Sequence, residues 1–279
     1  MKGLYCHVEG AFMPLEGAGI PLNDLGLQRG YGIFDFLRSV GKTPLFFDDH
    51  LDRFYRSADI MGLPVPEGRE RLKEIVWELA DRNDLPSSGI RILLTGGPSP
   101  DGYSISSPRL AVIQQPIAPP PDEFPQPGIR LCSHPYRRQL PEVKTTDYLM
   151  AVWLQPWLKG QGGDDILYHH GGIVTECPRS NLFMVDRQGT LVTPVRDMLN
   201  GVTRKNVLSA ALRLGMTVEE RDVTLDEVAA AAEVFVTSST KRILPVCRLD
   251  GSEWTSKAPH SFTRRLRDAL IEMERDLLS

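Results

Sequence analysis

Apolar residues recur every three or four positions between residues 48 and 62, which predicts an amphipathic helix. The residues expected on its buried face are Leu51, Phe54, Tyr55, Ala58 and Met61. Asp48 or Asp49 is the expected N-cap, and Gly62 would end the helix. A second helix is predicted around residues 67 to 83. The stretches GIRILLTGG and PRLAVIQQ are typical of strands, so this part of the chain mixes helices and strands.

The later part of the chain shows the same mixture. GGIVTEC and NLFMVD are short β-rich runs separated by PRS, and they predict two adjacent antiparallel strands. Helices are predicted at TRKNVLSAALRLG and near LDEVAAAAE, followed by a strand at EVFVTSS. A closing amphipathic helix is expected from about residue 259 to residue 278.

A proline-rich stretch, QQPIAPPPDEFPQPG at residues 114 to 128, separates the two parts. Its six prolines are incompatible with a helix interior or a central strand and favour a stiff, extended linker. We therefore predict a small α/β domain at residues 1–113 and a larger α/β domain at residues 129–279. Clefts between domains are favoured places for small-molecule sites.

Composition narrows the possible classes of function. With 41% hydrophobic and 24% charged residues in 279, the chain is typical of a globular protein, and its net charge of −4 gives no basic field for nucleic acid. No apolar run reaches the roughly 20 residues of a membrane span, and no signal peptide is evident, so we expect a cytoplasmic protein. The four cysteines lack CxxC spacing, and His169 and His170 have no third ligand at hand, so no metal site is expected.

One lysine and one glutamate are candidates for chemistry. Lys144, in PEVKTTDYLMAVWLQ, lies between a strand-like stretch and a helix, although most lysines are simply exposed. Glu176, in GIVTECPRS, lies on a strand and would point to the same face as Val174. A carboxylate there needs a cationic or hydrogen-bonding partner, and a structural salt bridge to an arginine would suffice.

Three further stretches could bind an anion. In GVTRKNVL, Thr203 is a plausible N-cap beside two cationic residues, and in VTSSTKR a strand runs into the hydroxyls of Ser238 and Ser239. Arg53 in HLDRFYRSA carries the planar fork that suits a phosphate. Each has an ordinary structural interpretation. Together with an amine and a lone carboxylate, however, they make up the set that pyridoxal 5′-phosphate requires.

The wording and order of these stretches resemble those of the class IV, fold-type IV, pyridoxal-phosphate aminotransferases. The similar blocks are HLDRFYRSA, VKTTDYL, VTECPRSNLF, GVTRKNVL and FVTSSTKRILPV. The resemblance implies a two-domain mixed α/β enzyme that works as a homodimer, with its active site at the domain interface. It also implies pyridoxal 5′-phosphate as the cofactor and an amino acid and a 2-oxo acid as substrates.

The same resemblance implies roles for individual residues. Lys144 would be the Schiff-base lysine and the acid/base that moves the substrate proton. Glu176 would keep the pyridine nitrogen protonated. The phosphate would be bound by five residues: Arg53, Val202 through its amide, Thr203, Ser238 and Ser239.

Substrate choice is the open question. The loop that holds the substrate carboxylate in typical D-amino-acid members carries Asp101 and Tyr103 here, and Asp101 would repel an anion. Arg91 and Arg29 are the alternative carboxylate ligands, and they favour a D-amino-acid transaminase that uses 2-oxoglutarate. A branched-chain L-amino-acid aminotransferase, an aminodeoxychorismate lyase and a non-catalytic cofactor-binding protein are the alternatives.

Overall fold

The computed structural model describes residues 3–254 and 261–279, which form two compact units. The first unit contains the described residues up to Pro119, together with Val143–Asp147 and Leu277–Ser279. The second contains Pro120–Glu142 and the described part of Tyr148–Asp276. Both mix helices and strands, as the sequence predicts.

The first unit is built on an antiparallel sheet of six strands in the order β2-β1-β6-β5-β3-β4. The strands are β1 (Tyr5–Val8), β2 (Ala11–Pro14), β3 (Gly32–Val40), β4 (Thr43–Pro44), β5 (Ser87–Thr95) and β6 (Arg109–Pro116). The helices are α1 (Leu25–Arg29), α2 (Phe47–Ile60) and α3 (Arg69–Asn83).

Alternation along the central strands gives this sheet two different faces. Ile33 and Leu37 on β3, and Ile90 and Ile92 on β5, are fully buried and pack with the apolar faces of α2 and α3. Each such side chain stabilises the fold by about 1.5–3 kcal/mol when it leaves water. The intervening residues, including Phe34, Phe36 and Arg91, lie on the opposite face.

Helix α2 confirms the helix predicted from residue 48, but the predicted cap is wrong. Phe46 occupies the N-cap position in the left-handed region at φ 51°, without a side-chain cap. Asp48 and Asp49 lie in the first turn instead, where their charges favour the helix dipole. Gly62, at φ +60°, lies just beyond the end of the helix as expected.

The second unit is built on a nine-stranded sheet with the main order β12-β11-β10-β13-β14-β7-β8-β9, with β15 paired to β14. The strands are β7 (Ile129–Pro135), β8 (Asp165–His170), β9 (Ile173–Val174), β10 (Asn181–Val185), β11 (Leu191–Thr193), β12 (Val218–Glu220), β13 (Glu233–Ser238), β14 (Arg242–Leu249) and β15 (Ser252–Glu253). The helices are α4 (Leu149–Trp153), α5 (Gln155–Gly160), α6 (Val202–Arg213), α7 (Leu225–Ala230) and α8 (Phe262–Asp276). The predicted start of the closing helix near residue 259 lies outside the described residues.

The hairpin predicted for GGIVTEC and NLFMVD is wrong. Strand β9 pairs with β8, whereas β10 pairs with β11 and β13. The backbone of Thr175 and Glu176 continues along β8, because Thr175 N donates to Tyr168 O (3.0 Å) and Tyr168 N donates to Glu176 O (2.9 Å). Between the two runs, the described residues form an isolated bridge of Cys177 with Ser180.

The two units differ in two places from the predicted division. Strand β6 continues through Pro116 and pairs with β5, so the connection to the second unit begins later than residue 114. Val143–Asp147 belongs to the first unit although the sequence predicts it in the second. The reason is that Thr145 bridges to Ile33 and Val143 is buried in the core of the first unit.

Three features of the described residues bear on the classes considered above. None of their helices combines the length and the apolar character needed to cross a membrane. Their His, Cys, Asp and Glu side chains form no group of three that could hold a metal ion. Cys6, Cys132 and Cys177 are buried free thiols, whereas Cys247 is only half-buried.

Candidate active site

Lys144 lies on a short extended segment at the edge of β3. Its carbonyl accepts from Phe34 N (3.0 Å), and Thr146 N donates to Gly32 O (2.9 Å). Its own amide donates to Ser57 Oγ of α2 at 3.4 Å. The side chain is half-buried. The backbone of Lys144 is therefore fixed to both the sheet and a helix, which is unusual for a simple surface lysine.

The ring of Phe34 lies within 5 Å of two cations. The Nζ atom of Lys144 lies 4.7 Å from the ring centroid, and the guanidinium carbon of Arg91 lies 4.6 Å from the same centroid. Arg91 also lies 5.9 Å from the ring of Phe36, its cross-strand neighbour. The structure thus brings two of the predicted site residues together at the ring of Phe34, which itself lies on the face of the sheet opposite α2 and α3.

Arg53 belongs to a buried charged cluster on the other face. Its Nε and Nη2 donate to the two oxygens of Asp35, both at 2.8 Å. Nδ1 of His50 is 2.7 Å from Asp35 Oδ1, and because the ionised carboxylate can only accept, this nitrogen carries the hydrogen. Asp35 is fully buried and His50 is 2% exposed. The bidentate contact fixes the plane of the Arg53 guanidinium.

The cluster sets the charge states of its members. Burial alone would raise the pKa of Asp35, but Arg53 and His50 outweigh it and hold the pKa of this carboxyl well below its usual range. Burial lowers the pKa of His50, and the nearby charges of Arg53 and Lys144 lower it further, while Asp35 opposes them. At neutral pH the cluster therefore contains an ionised Asp35 and a neutral His50.

Glu176, in the second unit, is 5% exposed and anchored at both carboxylate oxygens. Arg138 Nε donates to Oε1 at 2.6 Å, and Leu199 N donates to Oε2 at 3.0 Å. The salt bridge to an arginine considered from the sequence is therefore present.

The start of α6 differs from the prediction. Gly201, not Thr203, is the N-cap, and no side chain caps the helix. Thr203 and Val202 lie in the first turn and are buried. Arg204 points away from an anion at this end, because its Nη2 donates to Pro194 O (3.0 Å) and to Glu220 (2.8 Å). The first backbone amides and the dipole of α6 provide the positive potential instead.

Ser238 and Ser239 are half-buried at the end of β13, where the strand enters a turn. Ser238 Oγ lies 3.4 Å from Thr240 Oγ1, and Lys241 N donates to Ser238 O at 3.2 Å. The strand confirms the predicted run into small hydroxyl residues. It presents both serines on a turn whose backbone is fixed.

Arg29 is exposed at the end of α1 and contacts the 101–103 loop. Its Nε donates to Gly102 O at 3.1 Å, and its guanidinium carbon lies 5.2 Å from the Tyr103 ring centroid. Asp101 accepts hydrogen bonds from Tyr103 N and Ser104 N within its own loop. Asp101 keeps its negative charge while its oxygens also serve to fold the loop. The expectation that this charge repels an anion stays a prediction.

Several contacts around these residues were missed by sequence reasoning. Asp35 and His50 lie in or near the quoted blocks, but only the fold shows that they converge on Arg53. Arg138 precedes the lysine by six residues, and Leu199 acts through its backbone amide, which carries no sequence signal. The histidine three residues before Arg53, on the same helix face, is the one signal that a sequence reader could have used.

The predicted site residues thus form two groups, one in each unit. Lys144, Arg53, Arg91 and Arg29 belong to the first unit. Glu176, Val202, Thr203, Ser238 and Ser239 belong to the second.

The chain belongs to the class IV aminotransferases. The family model described as "Amino-transferase class IV" matches residues 32–249, which include all the site residues named above except Arg29. The protein is therefore an aminotransferase of this class, with a mixed α/β fold of the fold-type IV kind.

Curated relatives carry two different substrate names. A D-alanine aminotransferase from Bacillus licheniformis is 29% identical over 275 residues, covering 97% of this chain and 96% of the relative. A putative branched-chain-amino-acid aminotransferase from Methanocaldococcus jannaschii is also 29% identical, covering 94% and 93%.

Solved structures agree with the fold. The branched-chain aminotransferase of Thermoproteus uzoniensis with norvaline has a TM-score of 0.87 at 25% identity, covering 99% of this chain and 95% of that one. The branched-chain amino acid aminotransferase of T.th., complexed with N-(5′-phosphopyridoxyl)-L-glutamate, has the same TM-score and identity, covering 98% and 94%.

Class IV aminotransferases use pyridoxal 5′-phosphate, which is the cofactor of this chain. The donors in the second unit fit that molecule: a buried carboxylate for a ring nitrogen and an uncapped helix start for a phosphate. Two buried hydroxyls, those of Ser180 and Thr237, have no hydrogen-bond partner among the described residues.

Proposed function

We propose that this aminotransferase acts on D-amino acids, such as D-glutamate or D-alanine, and passes the amino group to a 2-oxo acid such as 2-oxoglutarate. The observation that carries the proposal is the shared ring of Phe34, with the Lys144 amine on it at 4.7 Å and the Arg91 guanidinium at 4.6 Å. A substrate carboxylate bound to Arg91 would lie close to a basic amine. Proton transfer at the α-carbon requires such an arrangement.

Lys144 is proposed to hold the cofactor covalently and to move the proton at the substrate α-carbon. When bound, pyridoxal 5′-phosphate withdraws electrons from that carbon and so weakens its C–H bond. The rigid backbone of Lys144, fixed to β3 and α2, limits the positions that its amine can reach. Positioning of this kind is a large part of catalytic power.

Glu176 is proposed to keep a proton on the pyridine nitrogen. A buried carboxylate with two anchored oxygens stays ionised only if it is well paired, and Arg138 and Leu199 N supply that pairing. In this proposal the carboxylate also accepts a hydrogen bond from a protonated ring nitrogen. Neutralising Glu176 would therefore weaken the electron-withdrawing power of the bound ring.

The phosphate is proposed to be bound by Arg53, Val202 N, Thr203, Ser238 and Ser239. Asp35 fixes the plane of the Arg53 fork, and α6 contributes uncapped amides beside the buried side chain of Thr203. Phosphate groups bind well to such combinations of guanidinium, hydroxyl and helix amides.

Arg91 and Arg29 are proposed to bind substrate carboxylates. The loop from Gly97 to Ser104 contains no lysine or arginine, so a cation that binds the carboxylate must come from elsewhere in the chain. Asp101 itself accepts hydrogen bonds from within this loop. A bidentate arginine–carboxylate contact is among the stronger polar interactions in proteins.

A branched-chain L-amino-acid aminotransferase is the second candidate. Its support is the Methanocaldococcus jannaschii relative, which matches this chain as closely in identity as the Bacillus licheniformis D-alanine aminotransferase. We favour the D-amino-acid reaction because two arginines suit a dicarboxylate better than an aliphatic side chain.

Half-reactions with single amino acids test the proposal. D-glutamate, D-alanine, L-leucine and L-glutamate would each be mixed with the wild-type enzyme, Arg91→Ala and Arg29→Ala, and conversion followed by absorbance. We expect D-glutamate to react fastest with wild type and both variants to bind it more weakly. Faster reaction with L-leucine would restore the branched-chain assignment, and no reaction with any amino acid would favour the lyase.

A homodimer is proposed as the working form. Helix α4 is entirely apolar, LMAVW, yet none of its residues is buried; Leu149, Val152 and Trp153 are 77%, 67% and 68% exposed. Contiguous apolar surface of this kind marks an association site. Analytical ultracentrifugation should show a dimer in wild type and a monomer in Val152→Glu, with Trp77→Glu, an exposed apolar residue of α3, as the control.

A further inference from the structure

The loop from Gly97 to Ser104 is folded around one exposed carboxylate. Asp101 Oδ1 accepts hydrogen bonds from Ser99 Oγ (3.0 Å), Tyr103 N (2.9 Å) and Ser104 N (2.7 Å), and Oδ2 accepts from Ser104 Oγ (2.6 Å). These hydrogen bonds, that of the Ser104 side chain foremost, hold the pKa of Asp101 well below its usual range. The carboxylate is therefore ionised at any working pH, and it acts as an internal template for the loop.

In this conformation the loop contacts Arg29 through the Gly102 carbonyl and the Tyr103 ring, and we call these two groups the cradle. Gly102 adopts φ +77°, and its carbonyl accepts from Arg29 Nε at 3.1 Å. A Cβ atom on Gly102 would come within 3.2 Å of Arg29 Nη2. The ring of Tyr103, although 80% exposed, lies 5.2 Å from the guanidinium carbon. Main chain and ring thus bound the guanidinium on two sides.

The Arg29 guanidinium keeps one nitrogen that can donate a hydrogen bond to a ligand. Nη1 donates to Gln28 O at 3.1 Å, whereas Nη2 makes no hydrogen bond among the described residues. An exposed arginine usually samples many rotamers, and ordering it costs side-chain entropy. The cradle reduces that cost in advance, which is the physical basis of preorganised binding.

The base of α1 is fixed to the same loop and to strand β5. The N-cap Asp24 is fully buried and accepts from Gly26 N (2.7 Å) and from Thr95 Oγ1 (2.8 Å). Leu25 N donates to Gly97 O at 2.9 Å, at the first residue of the loop. The start of α1 is therefore fixed by Asp24 and Leu25, and its end by the contact of Arg29 with Gly102. Through Thr95, the start of α1 is also bound to β5, the strand that carries Arg91.

We propose that Asp101 is a positioning residue that fixes the loop holding Arg29, and thereby determines the affinity for the substrate carboxylate. The inference rests on the proposed function, in which Arg29 binds that carboxylate. Asp101 makes no contact with the substrate itself. Its oxygens are used as hydrogen-bond acceptors within the loop, which gives this residue a structural role beside an anion-binding arginine.

A double-mutant cycle tests the proposal through KM and kcat for 2-oxoglutarate with D-glutamate as donor. Asp101→Ala removes all four acceptor contacts, so KM should rise roughly tenfold while kcat stays within about twofold. Asp101→Asn retains the Oδ1 acceptor and should remain near wild type. Gly102→Ala leaves Asp101 intact but crowds Nη2 in a left-handed backbone conformation, and it should raise KM as Asp101→Ala does.

The cycle is completed in the Arg29→Ala background, where Asp101→Ala should have no further effect on KM. An equal rise in KM with and without Arg29 would overturn the positioning role. So would an unchanged KM in Asp101→Ala when Arg29→Ala raises it. If Arg29→Ala itself leaves KM unchanged, the assignment of Arg29 as a carboxylate ligand fails, and the role of Asp101 fails with it.

Discussion

The two groups of site residues are held in different ways. In the first unit, Arg53 is positioned by other charged side chains, Asp35 and His50, which lie on regular elements and are almost fully buried. In the second unit, Glu176 is held by the Arg138 guanidinium and by Leu199 N, and the start of α6 is shaped by main chain at the uncapped turn of Gly201. The first group therefore depends on charges, whereas the second depends on charge at Glu176 and on backbone shape at the start of α6.

This difference determines how each group should respond to change. A buried ion pair is destabilised strongly when one partner is removed, because the other charge is left without compensation. A main-chain contact survives most side-chain changes but is sensitive to any atom that displaces the loop. Substitutions of four residues test this comparison.

Asp35→Ala should have the largest effect on stability. It leaves Arg53 and His50 without their acceptor in the interior, so the free energy of unfolding should fall by about 3–5 kcal/mol. Urea denaturation measures this value, with Asp81→Ala as the control. Asp81 pairs with Lys42 on the surface, where both side chains are more than half exposed, and its loss should change little. If both substitutions lowered the free energy of unfolding equally, the buried charges of the first unit would not have the stabilising role claimed for them.

Gly201→Ala should perturb the second unit through shape alone. A Cβ atom there would lie 2.1 Å from Asn181 Oδ1, and Asn181 is held in place by its hydrogen bond to Leu199 O at 2.8 Å. We expect a loss of about 1–3 kcal/mol in unfolding free energy, with weaker binding of pyridoxal 5′-phosphate. Gly160→Ala, where a Cβ would meet no atom within 4 Å, is the matched control. Wild-type cofactor affinity in Gly201→Ala would contradict the role of this turn.

Glu176→Gln keeps the shape of the side chain and removes its charge. If the charge holds a proton on the ring nitrogen, proton abstraction should slow at least about tenfold, or ~1.4 kcal/mol of barrier. Single-turnover absorbance with D-glutamate measures the rate. Glu219→Gln, an exposed carboxylate of the same unit, should behave as wild type. An unchanged rate in Glu176→Gln would count decisively against the assignment.

The smallest effect concerns pH. Because burial lowers the pKa of His50 in the folded protein, the unfolded chain, with a histidine pKa near 6.5, binds the proton first as pH falls. Stability should therefore be complete above about pH 6.5 and decline below it, toward the folded pKa of His50. Urea midpoints between about pH 7 and pH 5 should show a shallower decline in His50→Gln than in wild type. If the urea midpoint of His50→Gln fell more steeply with decreasing pH than that of wild type, the predicted role of His50 would be contradicted.

The regular helices can be predicted from the sequence, whereas the position of a segment that pairs with a distant strand cannot. Helices α2, α3 and α6 are predictable because their apolar periodicity matches their buried faces. The need of Glu176 for an arginine partner is predictable from its strand context, and Arg138 meets it. The position of residues 143–147 in the first unit is not predictable, because it depends on pairing with a strand more than 100 residues earlier.

The irregular parts were mispredicted for local reasons. Thr203 was expected as a cap because its hydroxyl suits that position, yet glycine at residue 201 takes it. The role of Asp101 in folding its own loop is not predictable, because a sequence shows its charge but not the four donors that surround it. A sequence shows the type of each side chain, but only the folded structure shows which hydrogen-bond donors surround it.

The identity of the reactive lysine tests the account most directly. The enzyme loaded with pyridoxal 5′-phosphate would be reduced with borohydride, digested and mapped by mass spectrometry, with Lys144→Ala and Lys159→Ala treated in parallel. We expect the cofactor on the peptide containing Lys144, no specific label in Lys144→Ala, and unchanged labelling in Lys159→Ala. A folded Lys144→Ala that retains turnover, or a wild-type label on any other lysine, would contradict the assignment.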